Sequence, residues 1–267
     1  MAQQRFGQCG PFFTWLKLVG VVSKITIIIP CYNEAERLDV QAFLAWVREV
    51  EVDLLFVDDG STDNTLDILE EMSAQSQGAA QHIFLAENQG KAEAVRQGML
   101  HAFSAGADLV GYLDADLATS LVEAERIIEA LMASDKKVAM GSRVALIDRD
   151  IERTPTRHYL GRAFATFASA GLGARFYDTQ CGAKFFKASP RIMAALENPF
   201  ITKWVFDVEL LWRLMYAPFE ESPYSGMDFM EVPLKAWEDK KGSKIGMGQT
   251  ANIFADCMRL MTLFAKK

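Results

Sequence analysis

The sequence predicts an α/β protein built on a doubly wound, mostly parallel sheet with a helical C-terminal part. Three observations predict it. Apolar, β-branched runs of strand length alternate with stretches of helical periodicity. Several of those runs break off abruptly in polar residues, as buried parallel strands do at the carboxyl edge of a sheet. The chain has 267 residues, half of them hydrophobic, enough for one large domain with a full core.

The elements follow in order. Lys24–Pro30 (Lys-Ile-Thr-Ile-Ile-Ile-Pro) is a strand ended by proline, and Phe43, Leu44, Trp46 and Val47 mark the helix after it. Val52–Gly60 is a second strand that closes on two acids and a glycine. Ser61, Thr62, Asp63 and Asn64 offer N-cap side chains to a helix carrying Leu66, Ile68, Leu69 and Met72. His82–Leu85 is a third, short strand. Gln89–Gly90–Lys91 opens a helix with Val95, Met99, Leu100 and Phe103 on one side. The fourth strand, Leu109–Leu113, runs straight into Asp114–Ala115–Asp116. Ser120 and Glu123 have capping-box spacing ahead of Ile127, Ile128 and Leu131. Lys137–Gly141 is the fifth strand.

After residue 145 the pattern changes. Asp148–Pro155 is charged and proline-marked, which reads as a surface loop. A small-residue helix spans Tyr159 to about Gly171. Lys203–Met215 is a helix with apolar and acidic faces, and Phe229–Leu234 is one more strand. From Thr250 onward, Ile253, Phe254, Met258, Met261, Leu263 and Phe264 share one broad face.

Composition excludes several functions. A net charge of −7 opposes binding to nucleic acid. The tail is locally basic, with seven Lys/Arg against three Asp/Glu from Lys235 to Lys267. Four scattered cysteines form neither a zinc set nor a disulfide framework and fit a reducing cytosol. Three histidines without ligand spacing leave little for a His-based metal site or a Ser-His-Asp triad. Pro11–Val22 is apolar but interrupted by Lys17, and is shorter than the roughly 20 residues of a membrane span. It reads as an interfacial or packed extension. No signal-peptide cleavage pattern follows it.

Chemistry gathers at three strand ends: Pro30-x-Tyr32-x-Glu34, Asp58–Asp59–Gly60–Ser61 and Asp114–Ala115–Asp116. Alone, each also serves as a turn. Together, at the carboxyl ends of neighbouring parallel strands, they converge on one crevice and suit a nucleotide with a hard divalent cation. The G-x-G-x-x-G turn and the P-loop are both absent.

These segments resemble the family 2 glycosyltransferases of GT-A fold. Ile-Ile-Ile-Pro-Cys-Tyr-Asn-Glu, Val-Asp-Asp-Gly-Ser-Thr-Asp, Asn-Gln-Gly-Lys and Leu-Asp-Ala-Asp-Leu-Ala-Thr stand in that family's order. Downstream, Asp-Thr-Gln-Cys-Gly-Ala-Lys-Phe-Phe, Phe-Asp-Val-Glu-Leu-Leu and Gly-Ser-Lys resemble the dolichyl-phosphate β-glucosyltransferase branch, kin of polyprenyl-phosphate mannose synthases. The resemblance covers about residues 24 to 262. It implies an N-terminal extension over 1–23, a catalytic domain over 24–247 and an amphipathic C-terminal helix over 248–267. The nucleotide-binding half of the domain would be 24–145 and the acceptor half 146–247.

It also implies roles. Pro30, Tyr32, Glu34 and Asp59 would line the uracil and ribose pocket, with Val57 at its wall. Asp114 and Asp116, with Ala115 between them, would hold Mg²⁺ or Mn²⁺ against the diphosphate, Asp116 more directly. Lys91 would sit near the nucleotide. Arg143 and Lys244 would meet donor or acceptor phosphates, and Asp178 and Gln180 would border the sugar. Asp207 would orient sugar hydroxyls or act as base, although an ion-paired or solvated helix face equally accounts for Asp207 and Glu209. Two positions depart from the relatives: Ala92 where a second glycine often stands, and Ala118 where mannose synthases carry a metal-contacting Gln.

The implied reaction is inverting transfer of glucose from UDP-glucose to a polyprenyl or dolichyl phosphate by a peripheral enzyme at the cytoplasmic membrane surface. A divalent ion and Lys/Arg would stabilise the leaving diphosphate. A lipid phosphate with a second pKa of about 6 is mostly dianionic at neutral pH, so no strong base is required. The rivals are transfer of mannose or another sugar, a saccharide acceptor, and a non-catalytic nucleotide-binding relative. A nucleotidyltransferase lacks its Gly-rich basic loop here, and a phospho-receiver module would carry its acid pair after the first strand, not the second.

Overall fold

The structure, a computed structural model, describes residues 24–144, 148–152, 155–238 and 247–267. The N-terminal extension and Lys244 lie outside the described residues.

The strands of the main sheet are β1 (Ile25–Cys31), β2 (Asp53–Asp58), β3 (Ala80–Phe84), β4 (Leu109–Leu113), β5 (Val138–Ser142), β7 (Ala183–Lys187) and β8 (Phe229–Pro233). Their spatial order is β3-β2-β1-β4-β7-β5-β8. β6 (Asp150–Glu152) and β9 (Ala236–Glu238) form a separate parallel pair. The helices are α1 (Val40–Glu49), α2 (Thr65–Gln75), α3 (Lys91–Ser104), α4 (Leu121–Met132), α5 (Pro155–Leu172), α6 (Pro190–Glu197), α7 (Phe206–Tyr216) and α8 (Met247–Phe264).

Strand alternation builds two cores, because successive side chains point to opposite faces. Ile27, Ile29, Leu54, Phe56, Leu113 and Phe185 pack under α1, α2 and α4. Ile28, Leu55, Val57, Val110, Tyr112 and Phe186 pack under α3, α6 and α7. Gly98 sets how closely α3 lies on the sheet. A Cβ there would come within 2.5 Å of Ile28 Cγ2 and 2.9 Å of Val57 Cγ2.

Four sequence expectations need correction. Part of the charged stretch after residue 148 is not loop, since Asp150–Glu152 pairs with Ala236–Glu238. β7 is an unforeseen strand, antiparallel to both β4 and β5, and it separates them. The expected nucleotide and acceptor halves therefore share one sheet. The Ser120 hydroxyl does accept the Glu123 N–H, but the Glu123 carboxylate takes Arg126 rather than closing a capping box. Finally, the single apolar face of the last helix is two faces. Leu260 is buried and Leu263 and Phe264 pack on the core, whereas Phe254, Met258 and Met261 are exposed.

Candidate active site

The order β2-β1-β4 places the three polar strand ends side by side, all at carboxyl ends of parallel strands. At the first, Asn33 takes a positive φ of 51° and its amide oxygen accepts the Thr62 N–H at 2.8 Å. The Glu34 N–H donates to Thr65 Oγ1 at 2.8 Å, and Arg37 donates to Glu34 Oε1 at 2.6 Å. The loops after β1 and β2 are thus laced together, with Pro30 and Tyr32 part-exposed beside them.

At the second strand end, Asp58 and Asp59 are buried. Asp58 Oδ1 takes the Ser61 N–H and hydroxyl, while Oδ2 lies buried without a hydrogen-bond partner among the described residues. Asp59 accepts the N–H groups of Gln89 and Gly90, both at 2.8 Å, and the Asn88 amide at 3.0 Å. Burial pushes its carboxyl up, against the pull of those two N–H groups. Its carboxylate fixes the turn from which α3 starts at Lys91. Val57, expected at a pocket wall, is fully buried beside Gly98, so its side chain is core and presents no surface to a nucleotide.

At the third, Lys91 Nζ lies 2.5 Å from Asp114 Oδ1. Burial works against the Lys91 ammonium, but the charges of Asp114, Asp207 and Asp116 override it and raise its pKa. The other Asp114 oxygen rests on Gly182, where a Cβ would sit 2.1 Å from Oδ2. Asp116 Oδ1 accepts the Ala118 N–H at 3.0 Å, in a turn whose intervening Leu117 has φ of 52°. Burial first, then Asp114, push the Asp116 carboxyl up, opposed by Ala118, Lys91 and Arg37. Ala115 is buried, so only its backbone can meet a ligand.

This donor set fits a divalent cation. The two acids are crowded, carry oxygen donors and gain from a further positive charge. Among the described residues no group of three acids, histidines or cysteines gathers to cage a metal. Mg²⁺ and Mn²⁺ suit such a site when phosphate and water complete the shell.

Asp207 joins from the acceptor half. It occupies the first turn of α7, where an acid complements the helix dipole. The entry to α7 is pinned by Asp256 of α8, which accepts the N–H groups of Lys203 and Trp204 at 2.8 Å. Glu209 is an ion-paired structural acid that accepts Ile201 and Thr202 N–H and pairs with Arg213 at 2.7 Å.

Arg143 does not stand free for phosphate. It forms a two-pronged pair with Asp178, at 2.6 and 2.8 Å, and lies 5.2 Å over the Trp237 ring. Burial opposes the Asp178 charge, but Arg143 prevails and holds its pKa down at about 2. Asp178, expected beside the sugar, is engaged by Arg143 and by the Gln180 N–H. Gln180 is exposed at the mouth of a cleft that Arg143, Arg162, Tyr177 and Thr179 also line.

Sequence reasoning assigned no role to Arg37, Tyr112, Arg162 or Lys184. Arg162 stacks 3.9 Å over the Tyr177 ring and donates to the Tyr177 carbonyl at 3.1 Å, with no carboxylate partner among the described residues. Lys184 pairs with Asp207 at 2.7 Å. The signal that could have found Lys184 was a lone charge in the apolar run Ala183–Phe186.

Comparison with known proteins finds relatives for the sequence and for the fold. Residues 26–193 match the model of glycosyl transferase family 2. The dolichyl-phosphate beta-glucosyltransferase of Saccharomyces cerevisiae is 30% identical, over 84% of this chain and 69% of its own. That of Drosophila melanogaster is 32% identical, over 83% and 69%. Glucosyl-3-phosphoglycerate synthase from Mycobacterium tuberculosis, solved with UDP, superimposes with a TM-score of 0.63 at 15% identity. That match covers 99% of this chain and 85% of the other. A complex of the same synthase with Mn²⁺, UDP and glucosyl-3-phosphoglycerate gives 0.60, covering 98% and 85% at 15% identity.

Proposed function

The chain belongs to glycosyl transferase family 2 and is a glycosyltransferase, and from that premise we propose that it moves glucose from UDP-glucose to a polyprenyl or dolichyl phosphate. The observation that carries the proposal is the meeting of Lys91, Asp114 and Asp116 at the sheet edge, with the charge of Asp207 felt at the same ammonium.

In this reading Tyr32, Glu34 and the backbone around Pro30 receive the base and ribose, and the Asp59-held turn presents Lys91 to the diphosphate. Asp114 and Asp116 would hold Mg²⁺ or Mn²⁺, which when bound supplies charge stabilisation to the leaving UDP. Lys91, 2.5 Å from Asp114, adds a second positive charge to the same region. The acceptor phosphate enters from the side of Arg162, whose guanidinium is preoriented by Tyr177 and unpaired with any described acid. As a dianion it attacks without a base. Attack opposite the departing diphosphate inverts the anomeric centre, and the β-linkage in the names of the curated relatives supports that outcome. Their names also support the lipid acceptor, and the UDP-glucose complex of the structural neighbour supports the donor.

A peripheral position at the cytoplasmic membrane surface completes the proposal. Phe254, Met258 and Met261 form an exposed apolar stripe on α8, with Arg259, Lys266 and Lys267 nearby, the pattern of an interfacial helix. No helix among the described residues is long and apolar enough to cross a membrane.

The test is incubation of the protein with polyprenyl phosphate, Mg²⁺ and labelled UDP-glucose, GDP-mannose or UDP-GlcNAc. Lipid-linked label from UDP-glucose is expected. Label from another donor alone would overturn the sugar assignment, and label from none would overturn the proposal.

A further inference from the structure

Tyr112 of β4 and Lys184 of β7 are direct cross-strand partners in the antiparallel pair. Residues facing each other across such a pair project from the same face of the sheet. Here that face meets the N-terminal turn of α7, and both side chains donate to one atom, Oδ1 of Asp207. Lys184 Nζ lies 2.7 Å from it and 2.6 Å from the Cys181 carbonyl. Lys184 is 1% exposed and Tyr112 is wholly buried.

A lysine this deep is costly, because its desolvation is offset only by close partners. An apolar residue in the run Ala183–Phe186 would pack at lower cost, so stability alone is a weak reason for the charge. The geometry offers another. With Oδ1 held by two donors, the carboxylate cannot turn about its χ2 axis. Oδ2 takes no hydrogen bond from any described residue and is not sealed from solvent. Burial, then Asp207, hold the Tyr112 phenol far above its ordinary pKa, so it stays a donor. The Lys91 ammonium feels Asp207 as well as Asp114 and Asp116, which places the carboxylate within the electrostatic reach of the donor site.

We infer that Tyr112 and Lys184 are positioning residues that lock Asp207 with Oδ2 presented to the transferred sugar, where it accepts a hydrogen bond from a ring hydroxyl. The inference rests on the donor-site reading above. It decides between the two roles open to Asp207: a carboxylate gripped in this way selects and orients the sugar. Glu209, two residues on, cannot substitute, since its oxygens are consumed by Ile201, Thr202 and Arg213.

The experiment compares the full-length wild type with Tyr112→Phe, Lys184→Met and Lys184→Arg, measuring affinity for UDP, UDP-glucose and UDP-glucose analogues each lacking one sugar hydroxyl. UDP alone should bind all folded variants within about twofold of wild type. Wild type should discriminate against one deoxy analogue by about tenfold or more, since a site built to pair a hydroxyl is left with an unpaired acceptor. Tyr112→Phe and Lys184→Met should shrink that ratio to about threefold or less, and Lys184→Arg should restore part of it. Tyr112→Phe removes one oxygen and decides the matter if Lys184→Met fails to fold. Wild-type discrimination preserved in Tyr112→Phe, or absent from wild type, overturns the inference. These are binding ratios, so failure of sugar transfer to lipid would overturn the proposed reaction separately.

Discussion

Lys91, the first residue of α3, sets its ammonium 2.5 Å from Oδ1 of Asp114, the residue that follows β4. A cation sits against one member of the acid pair, at the start of a helix that Asp59 positions through the backbone of Gln89 and Gly90. In the proposed donor site a diphosphate would compete with Asp114 for the ammonium. Lys91→Met should therefore lower kcat by about 10²-fold, the scale of losing one preorganised charge donor, with a smaller change in donor KM. Steady-state kinetics with UDP-glucose checks it. An unchanged kcat would make the pair structural only.

Gly182 lets the β7 approach reach Asp114. Gly182→Ala places a methyl group where Oδ2 stands and displaces the carboxylate. Thermal unfolding should change little, because the contact is with one side-chain end. The metal-dependent part of UDP affinity should fall by about tenfold or more, read by calorimetric titration with and without Mn²⁺.

The Arg143–Asp178 pair predicts a pH effect on stability. The Asp178 pKa falls from its ordinary 3.8 to about 2. A carboxyl with a depressed folded-state pKa contributes stability that is fully present above about pH 4 and is lost as pH falls through about 2. The contribution is on the order of 2 kcal/mol. Asp178→Asn should be less stable at pH 7 and should converge on wild type in acid. Arg143→Ala should be worse, by about 3–5 kcal/mol, because it leaves a buried carboxylate unpaired. Denaturant unfolding from pH 2 to 7 measures both.

Arg162 is the cation we place on the acceptor side. Arg162→Ala should raise acceptor KM by about tenfold while leaving UDP affinity within about twofold. Equal loss for donor and acceptor would indicate a general disturbance of α5.

The strand-end acids were legible because each ends an apolar run, and the parallel arrangement that unites them follows from alternation of strands and helices. Asp114–Asp116 and Asp59 needed no structure to stand out. What they hold did. Asp59 reads as a ligand-facing acid, yet its oxygens grip the turn before Lys91. The resemblance implied a phosphate role for Arg143, and its pairing with Asp178 was not legible because the two lie 35 residues apart. Tyr112 and Lys184 were invisible as a pair for a similar reason. β7 comes from beyond the regular alternation and inserts antiparallel between β4 and β5, so the contact depends on register that periodicity does not specify. The helix α6 went unread, although Ser189 as N-cap with Pro190 at the first position was a signal for it. On α8 the apolar stripe was seen, but periodicity did not reveal that Leu260 and Asp256 face inward, with Asp256 holding the entry to α7, while Phe254, Met258 and Met261 face outward.

The central claim is that Asp114 and Asp116 form the metal end of a nucleotide-sugar site. Titrating UDP-glucose into wild type and Asp116→Ala, with Mn²⁺ and with chelator, tests it most directly. Wild type should lose about tenfold or more in affinity when the metal is removed, and Asp116→Ala should show one weak affinity in both conditions. An Asp116→Ala protein that binds UDP-glucose with the wild-type metal dependence would contradict the claim.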